Sequence, residues 1–277
     1  MVSQIPKEIY PRPFLKWAGG KSRLIQQYIP YLPSKYQTYY EPFIGGGAVF
    51  FHLQPKVAII TDINAELITT YCCVRDRVEE LIDLLKEHKL RHSREYYYTV
   101  RANPGNTDLE IAARLIYLNK TCFNGLYRVN SKGQFNVPIG RYKNPNICDG
   151  DLLRAASAAL AHTQIKQADF VELLNYATSS DDFVFCDPPY YPISSTSYFT
   201  GYSRDSFDEE DQKRLRDTCA KLAKQGVKVM VCNSDCEFIR NLYQEIDFKI
   251  YPIAAARSIN SNTKKRGMIY ELLITSY

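Results

Sequence analysis

The sequence predicts an α/β fold, a single sheet domain interrupted by a helical insertion. Three observations carry that expectation. Short apolar runs alternate with helical periodicity near both ends of the chain. Between them, residues 66–149 read as helices followed by a loop. A glycine loop, Gly45 to Gly47, and two aspartates, Asp62 and Asp187, each follow an apolar run directly. Those are the carboxyl ends of strands, where parallel α/β sheets bind ligands.

The elements follow in order. Residues 38–42 form a short strand, which runs through Phe43 into the glycine loop, and a short helix covers 48–53. VAIIT at 57–61 is a buried strand ending on Asp62. From Glu66 the pattern turns helical, and residues 78–88 place apolar side chains at 78, 81, 82 and 85. Thr107 and Glu110 have the spacing of a capping box for a helix running to about Lys120. Residues 121–145, rich in Asn, Gly, Tyr, Arg and Lys, predict an exposed hairpin and loop, the hairpin itself near 121–143. FVFC at 183–186 is a buried strand ending at Asp187. Ser206 and Glu209 predict the cap of a further helix that stops near Gly226. Strands at 227–232 and 270–275 complete the sheet. The division expected is therefore a discontinuous sheet domain, 1–65 with 150–277, and an insertion at 66–149.

A net charge of +5 suits a polyanionic partner without demanding one. The 22 tyrosines suit stacking and phosphate contact, and equally an ordinary core and surface. Eight cysteines include no C-x-x-C pair and no neighbouring histidine cluster, so no zinc or other metal site is expected. The N-terminal segment lacks the layout of a signal peptide, and no run reaches the ~18 apolar residues of a membrane span. These features predict a cytoplasmic protein with reduced thiols; separately, a monomer in solution is expected.

Four segments carry chemistry. Asp187-Pro188-Pro189-Tyr190 follows a buried strand. Two prolines make a stiff corner with carbonyls held outward. A carboxylate and a fixed carbonyl are two acceptors for the two hydrogens of an exocyclic amine, and Tyr190 offers a flat face to an extruded base. The competing reading is a Pro-Pro turn with a solvated aspartate. In the glycine loop, Gly45 and Gly47 let a ligand approach the backbone, and Asp62 suits ribose hydroxyls, although an ordinary turn has the same composition. The dinucleotide fingerprint fails, because its third glycine would fall on Phe50. In Phe14-Leu15-Lys16-Trp17-Ala18-Gly19-Gly20-Lys21-Ser22, a phosphate loop fails because Leu15 stands at its first glycine. Trp17 can stack on an adenosine or a base there, or the segment simply packs on the sheet with solvated lysines. Finally, residues 118–143 interleave Lys120, Arg128, Lys132, Arg141 and Lys143 with aromatics, a pattern for phosphate and base contact or for a solvated, pinned loop. The run Lys264-Lys265-Arg266, a few residues after Arg257, reads as a solvated face.

Taken together, FLKWAGGK, PFIGGG, the 118–143 segment and DPPY occur in the order of the Dam-type DNA adenine methyltransferases, and the chain resembles that family over nearly its whole length. The resemblance implies a Rossmann-like sheet that binds S-adenosylmethionine (SAM), with an inserted, mostly helical domain that recognises double-stranded DNA. It implies transfer of a methyl group to N6 of a flipped adenine, at GATC. Trp17, Lys21, Asp62 and Asp187 fall on positions that contact SAM, with Phe43, Gly45 and Gly47 in the same loop, and Asp169 and Phe170 resemble the pair flanking its adenine. Lys16 falls on a position that meets the first guanine, and Leu126, Arg128 and Pro138 on positions that read later bases. Phe123 and Asn124 resemble a hairpin tip that pushes between bases, where the family often has Tyr in place of Phe123. Lys143 is assigned to phosphate. Methylation of cytosine N4 or of RNA adenine, and a DNA-binding module without catalysis, are the alternatives. Asp before Pro-Pro-Tyr leans toward adenine, and the intact tetrapeptide leans toward catalysis.

Overall fold

A computed structural model of the chain describes residues 9–193, 207–256 and 268–277. Ser206, Arg257 and the basic run at 264–266 lie outside the described residues. The chain groups into two compact units. One comprises Met1–Gly20, Gly45–Gln54 and Asn64–Thr163, and the other Lys21–Ile44, Pro55–Ile63 and Gln164–Tyr277.

The second unit is built on the sheet. Its strands are β1 (Thr38–Glu41), β2 (Ala58–Asp62), β3 (Thr163–Gln167), β4 (Asp182–Cys186), β5 (Lys228–Ser234), β6 (Lys249–Ala256) and β7 (Met268–Thr275). They are ordered β3-β2-β1-β4-β5-β7-β6. β1 pairs in parallel with β2 and with β4, and β4 with β5. β7 runs antiparallel to both β5 and β6. β4 is buried along its whole length, which is why FVFC is a continuous apolar run rather than an alternating one. Chain order reverses direction across the sheet at β1 and β4, the place where open α/β sheets hold ligands. The strand at 163–167, TQIKQ, carries no apolar run, and the one at 249–256 is interrupted by Pro252, which argues against a strand.

Helices α1 (Ile25–Tyr28), α8 (Leu173–Tyr176), α9 (Glu209–Lys224) and α10 (Glu237–Gln244) belong to the same unit as the sheet. Leu215, Cys219 and Leu222 of α9 and Ile239 and Leu242 of α10 pack with Val184, Val229 and Leu272 in one buried cluster. The cap of α9 differs from the sequence expectation. Asp208 is the N-cap, in a reciprocal box with Asp211. Two acidic side chains near the positive end of a helix outcompete a serine two positions upstream.

The first unit is helical: α2 (Ala48–Leu53), α3 (Ala65–Asp76), α4 (Val78–Arg91), α5 (Arg94–Ala102), α6 (Asp108–Thr121) and α7 (Gly150–Leu160). The Thr107–Glu110 box caps α6 as its spacing predicts. Gly47, at φ +68, starts α2, and a Cβ there would lie 2.8 Å from the Tyr71 hydroxyl. The segment after α6 folds back through two isolated antiparallel bridges, Cys122 with Ile139 and Val129 with Phe135. It is not simply exposed: Cys122, Phe135 and Val137 are buried beneath it.

Among the helices, His88 stacks on Tyr117 at 4.9 Å, and its Nδ1 lies 2.8 Å from the Tyr96 hydroxyl. Burial, then the charge of Arg91, lowers its pKa to about 4 from an ordinary 6.5. Its contribution to stability is therefore complete above pH 6.5 and is lost as pH falls toward about 4. Urea unfolding of wild type and His88→Gln across that window should show the wild type losing stability faster on acidification. Parallel profiles would remove His88 from the acid response.

Candidate active site

Because β1, β2 and β4 are parallel, their carboxyl ends share one edge of the sheet. Phe43 follows β1, Asp62 ends β2, and Asp187 follows β4 directly. Ile44 N–H donates to the Thr61 carbonyl at 3.1 Å, and Ala168 N–H to the Asp62 carbonyl at 3.2 Å. These bonds draw the loops after β1 and β3 alongside the end of β2. Asp169 caps the turn after β3 by accepting from Val171 N–H at 2.9 Å. Phe43 and Phe170 stack with centroids 5.6 Å apart.

Asp187 is not a solvated aspartate. Its Oδ1 lies 2.7 Å from Lys21 Nζ, and the Lys21 side chain is only 4% exposed. The solvated reading of the lysines thus fails for Lys21. Burial pushes the Asp187 carboxyl up, Lys21 pulls it down, Glu271 adds to the rise, and the net pKa is raised. Burial alone would lower the Lys21 ammonium. Asp187, then Cys232 and Glu271, more than offset that, so its pKa is also raised. Lys21 Nζ also stands 4.7 Å from the centre of the Tyr190 ring.

The corner at 187–190 is held by neighbours that the sequence did not announce. Gln212 Nε2 donates to the Pro189 carbonyl at 3.0 Å, and Asn233 Nδ2 donates to Gln212 at 2.9 Å. Asn233 accepts from Tyr191 N–H, and the Ser234 hydroxyl donates to the Tyr191 carbonyl at 2.6 Å. Tyr190 donates its hydroxyl to Glu271 Oε2 at 3.0 Å. No donor to the Pro188 carbonyl occurs among the described residues. One legible signal of Glu271 existed: an acidic residue inside the apolar run YELLIT.

In the first unit, Trp17 stacks on Tyr127 with centroids 5.3 Å apart and covers Gly45, where a Cβ would meet Trp17 Cδ1 at 2.6 Å. The buried Asn119 ties Lys16 to the hairpin. Its Oδ1 accepts from Lys16 N–H at 2.8 Å, and its Nδ2 donates to the carbonyls of Lys16 and Gly125. Phe123 and Asn124 form an exposed tip, with Asn124 at φ +57, and the Pro138 carbonyl accepts from Phe123 N–H at 2.9 Å. Leu126 is half-buried, and Lys143 is exposed. Arg128 is held across the hairpin, its Nε 2.6 Å from Asn136 Oδ1. No group of three or more His, Cys, Asp or Glu side chains is placed to hold a metal among the described residues. Nor is any described helix long and apolar enough to cross a membrane.

Known proteins resemble this chain over nearly its whole length. The chain is 45% identical over 274 residues to the type II methyltransferase M1.LlaDCHI of Lactococcus lactis subsp. cremoris, covering 96% of this chain and 95% of that one. It is 42% identical over 289 residues to the type II methyltransferase M.MjaIII of Methanocaldococcus jannaschii, covering 96% and 99%. The DNA adenine methylase of Escherichia coli K12 is 36% identical over 271 residues, covering 95% and 94%. Residues 17–259 match the D12 class N6 adenine-specific DNA methyltransferase family, a span that includes DPPY and the whole hairpin. The chain belongs to that family, and it is an adenine-specific DNA methyltransferase.

Proposed function

We propose that the protein transfers a methyl group from SAM to adenine N6 in double-stranded DNA, at GATC, after turning the adenine out of the helix. The observation that carries the reading is the ion pair of the buried Lys21 with the half-buried Asp187 beside Tyr190, on a corner whose backbone is clamped from β5 and α9. In this reading residues 66–149 recognise the target, and 1–65 with 150–277 carry the chemistry.

The residues at the sheet edge fit SAM. Acidic Asp62, Asp169 and Asp187 suit ribose hydroxyls and a cationic amino acid end, and the Phe43–Phe170 stack suits an adenine. Lys21 holds Asp187 in place. Trp17, Gly45 and Gly47 carry the same assignment by motif position. When bound, SAM would supply an electrophilic methyl group on a positively charged sulfur, which keeps the electron pair of the broken S–CH3 bond and leaves as the neutral thioether S-adenosylhomocysteine. Asp187 and the Pro188 carbonyl accept the two N6 hydrogens, which keeps the nitrogen lone pair out of the ring. The face of Tyr190 receives the base. Asp187 then stabilises the positive charge that develops on N6 until one N6 proton leaves, and fixed positioning lowers the barrier further.

On the DNA, Lys16 faces the first guanine, Leu126, Arg128 and Pro138 read later bases, and Phe123 and Asn124 wedge the duplex. Lys143 meets phosphate. Arg128 exchanges its bonds to Asn136 for a guanine edge. Arg128→Ala should relax discrimination at one base by roughly 1–3 kcal/mol and leave the others. Lys143→Ala should weaken all sequences alike and flatten the salt dependence by about one unit. Methylation rates on GATC and each single-base variant test this. A uniform fall for Arg128→Ala makes it a phosphate or structural residue. A wild type without preference for GATC refutes the target assignment.

A further inference from the structure

Glu271 is 8% exposed, yet it belongs to no motif discussed above. Its place follows from topology. β7 runs antiparallel to β5, and Glu271 pairs in register with Ser234, the last residue of β5. The early part of β7 therefore lies at the carboxyl edge of the parallel strands, the edge that bears Asp187. A carboxylate at an interior strand position is costly to bury unless its oxygens are bonded. Here each oxygen has its own partner. Oε1 accepts from the Tyr28 hydroxyl, and Oε2 accepts from the Tyr190 hydroxyl at 3.0 Å. Tyr28 is itself 1% exposed and lies 6.4 Å from the Phe185 ring, so the far side of the carboxylate is anchored in the core.

We propose that Glu271 is a positioning residue for methyl transfer, acting through the Tyr190 hydroxyl to hold the ring that receives the target base. Tyr190 stands where a stiff Pro-Pro corner ends, and its ring has one polar handle. Without an acceptor for that handle, the ring loses the 3.0 Å hydrogen bond that fixes its orientation. A planar platform that rotates presents no fixed face to the base, and displacement of about 1 Å can cost two orders of magnitude in rate. The proposal rests on the reading that Tyr190 stacks on the adenine.

The test compares single-turnover methyl transfer to a GATC duplex in wild type and five variants, with SAM dissociation constants and melting temperatures. Glu271→Leu removes both acceptors and should slow transfer at least about tenfold, with SAM affinity changed by less than about threefold. Glu271→Gln still bonds both hydroxyls, one as acceptor and one as donor, and should recover to within about threefold of wild type. Tyr190→Phe should be as slow as Glu271→Leu. The Glu271→Leu/Tyr190→Phe double variant should be no slower than either, because the two act in one path. Tyr28→Phe leaves the Tyr190 bond intact and should stay within about threefold of wild type.

Multiplying effects in the double variant would overturn the proposal. So would a Tyr28→Phe rate as low as that of Glu271→Leu, or a Glu271→Gln rate no better than it. Should Glu271→Leu not fold, a Tyr190→Phe rate equal to wild type would refute the proposal and a slowed one would uphold it. A wild type that transfers no methyl group to DNA would instead sink the functional reading.

Discussion

Asp187→Ala is expected to lower the single-turnover rate of methyl transfer by roughly 10²–10³-fold, the usual loss on deleting one preorganised electrostatic partner. Positive charge develops on N6 as the carbon–nitrogen bond forms, and the Asp187 carboxylate is the nearest negative charge assigned to it. Asp187→Asn should be impaired too, because an amide is a weaker acceptor than a carboxylate. Asp187→Ala also removes the 2.7 Å ion pair of Lys21, whose side chain is 4% exposed. Breaking a buried pair costs about 3–5 kcal/mol, an upper bound here because Asp187 is 19% exposed. The two losses separate in the Asp187→Ala/Lys21→Met double variant. Its stability should recover in part, since the buried ammonium is removed together with its carboxylate, while its activity should not. Rapid-quench kinetics and urea unfolding on the same preparations measure both. A rate loss below about tenfold, ~1.4 kcal/mol, would remove Asp187 from the transfer step.

Phe185→Ala should destabilise the protein by about 3–5 kcal/mol, a large share of the roughly 5–15 kcal/mol that holds a typical domain together. Phe185 is 0% exposed and lies on β4, opposite Met230 in the pairing with β5. A ring deleted there leaves a cavity lined by a hydrogen-bonded sheet, which cannot collapse without breaking its ladder. Phe185→Leu refills most of that volume and should cost less than about 1.5 kcal/mol. The urea midpoint, at unchanged slope, gives both numbers. A Phe185→Ala loss below that of Phe185→Leu would show that the surroundings close over the site.

The two predictions differ in how far the sequence alone supports them. FVFC is legible as a strand because a strand buried on both faces must be apolar along its length, whereas VAIIT is buried only in part, with Val57 49% exposed and outside β2. The Thr107–Glu110 box was legible because its chemistry is local. Asp62 and Asp187 were placed at strand ends by adjacency alone, since each follows its apolar run in the chain. The strands at 163–167 and 249–256 were not legible. They lie at the two edges of the sheet, where partial exposure permits TQIKQ and where Pro252 is tolerated.

The cap at Asp208 is not legible in the sequence, because several acidic and hydroxyl residues nearby satisfy the same local rule and only the folded helix selects among them. Burial of Lys21 was likewise invisible, since a lysine beside glycines reads as solvated until a carboxylate is brought to it. Asp187 does that from far along the chain. Gln212, Asn233, Ser234 and Glu271 reach the same corner through strand order, with β7 inserted antiparallel between β5 and β6. Periodicity and capping act over a few residues, and the sequence determines what they control: the elements, the corner and the residue types for the chemistry. Which polar groups are buried together depends on which strands become neighbours, and the tertiary structure alone decided that, because the cost of burying a charge is met only by a partner that the fold brings within reach.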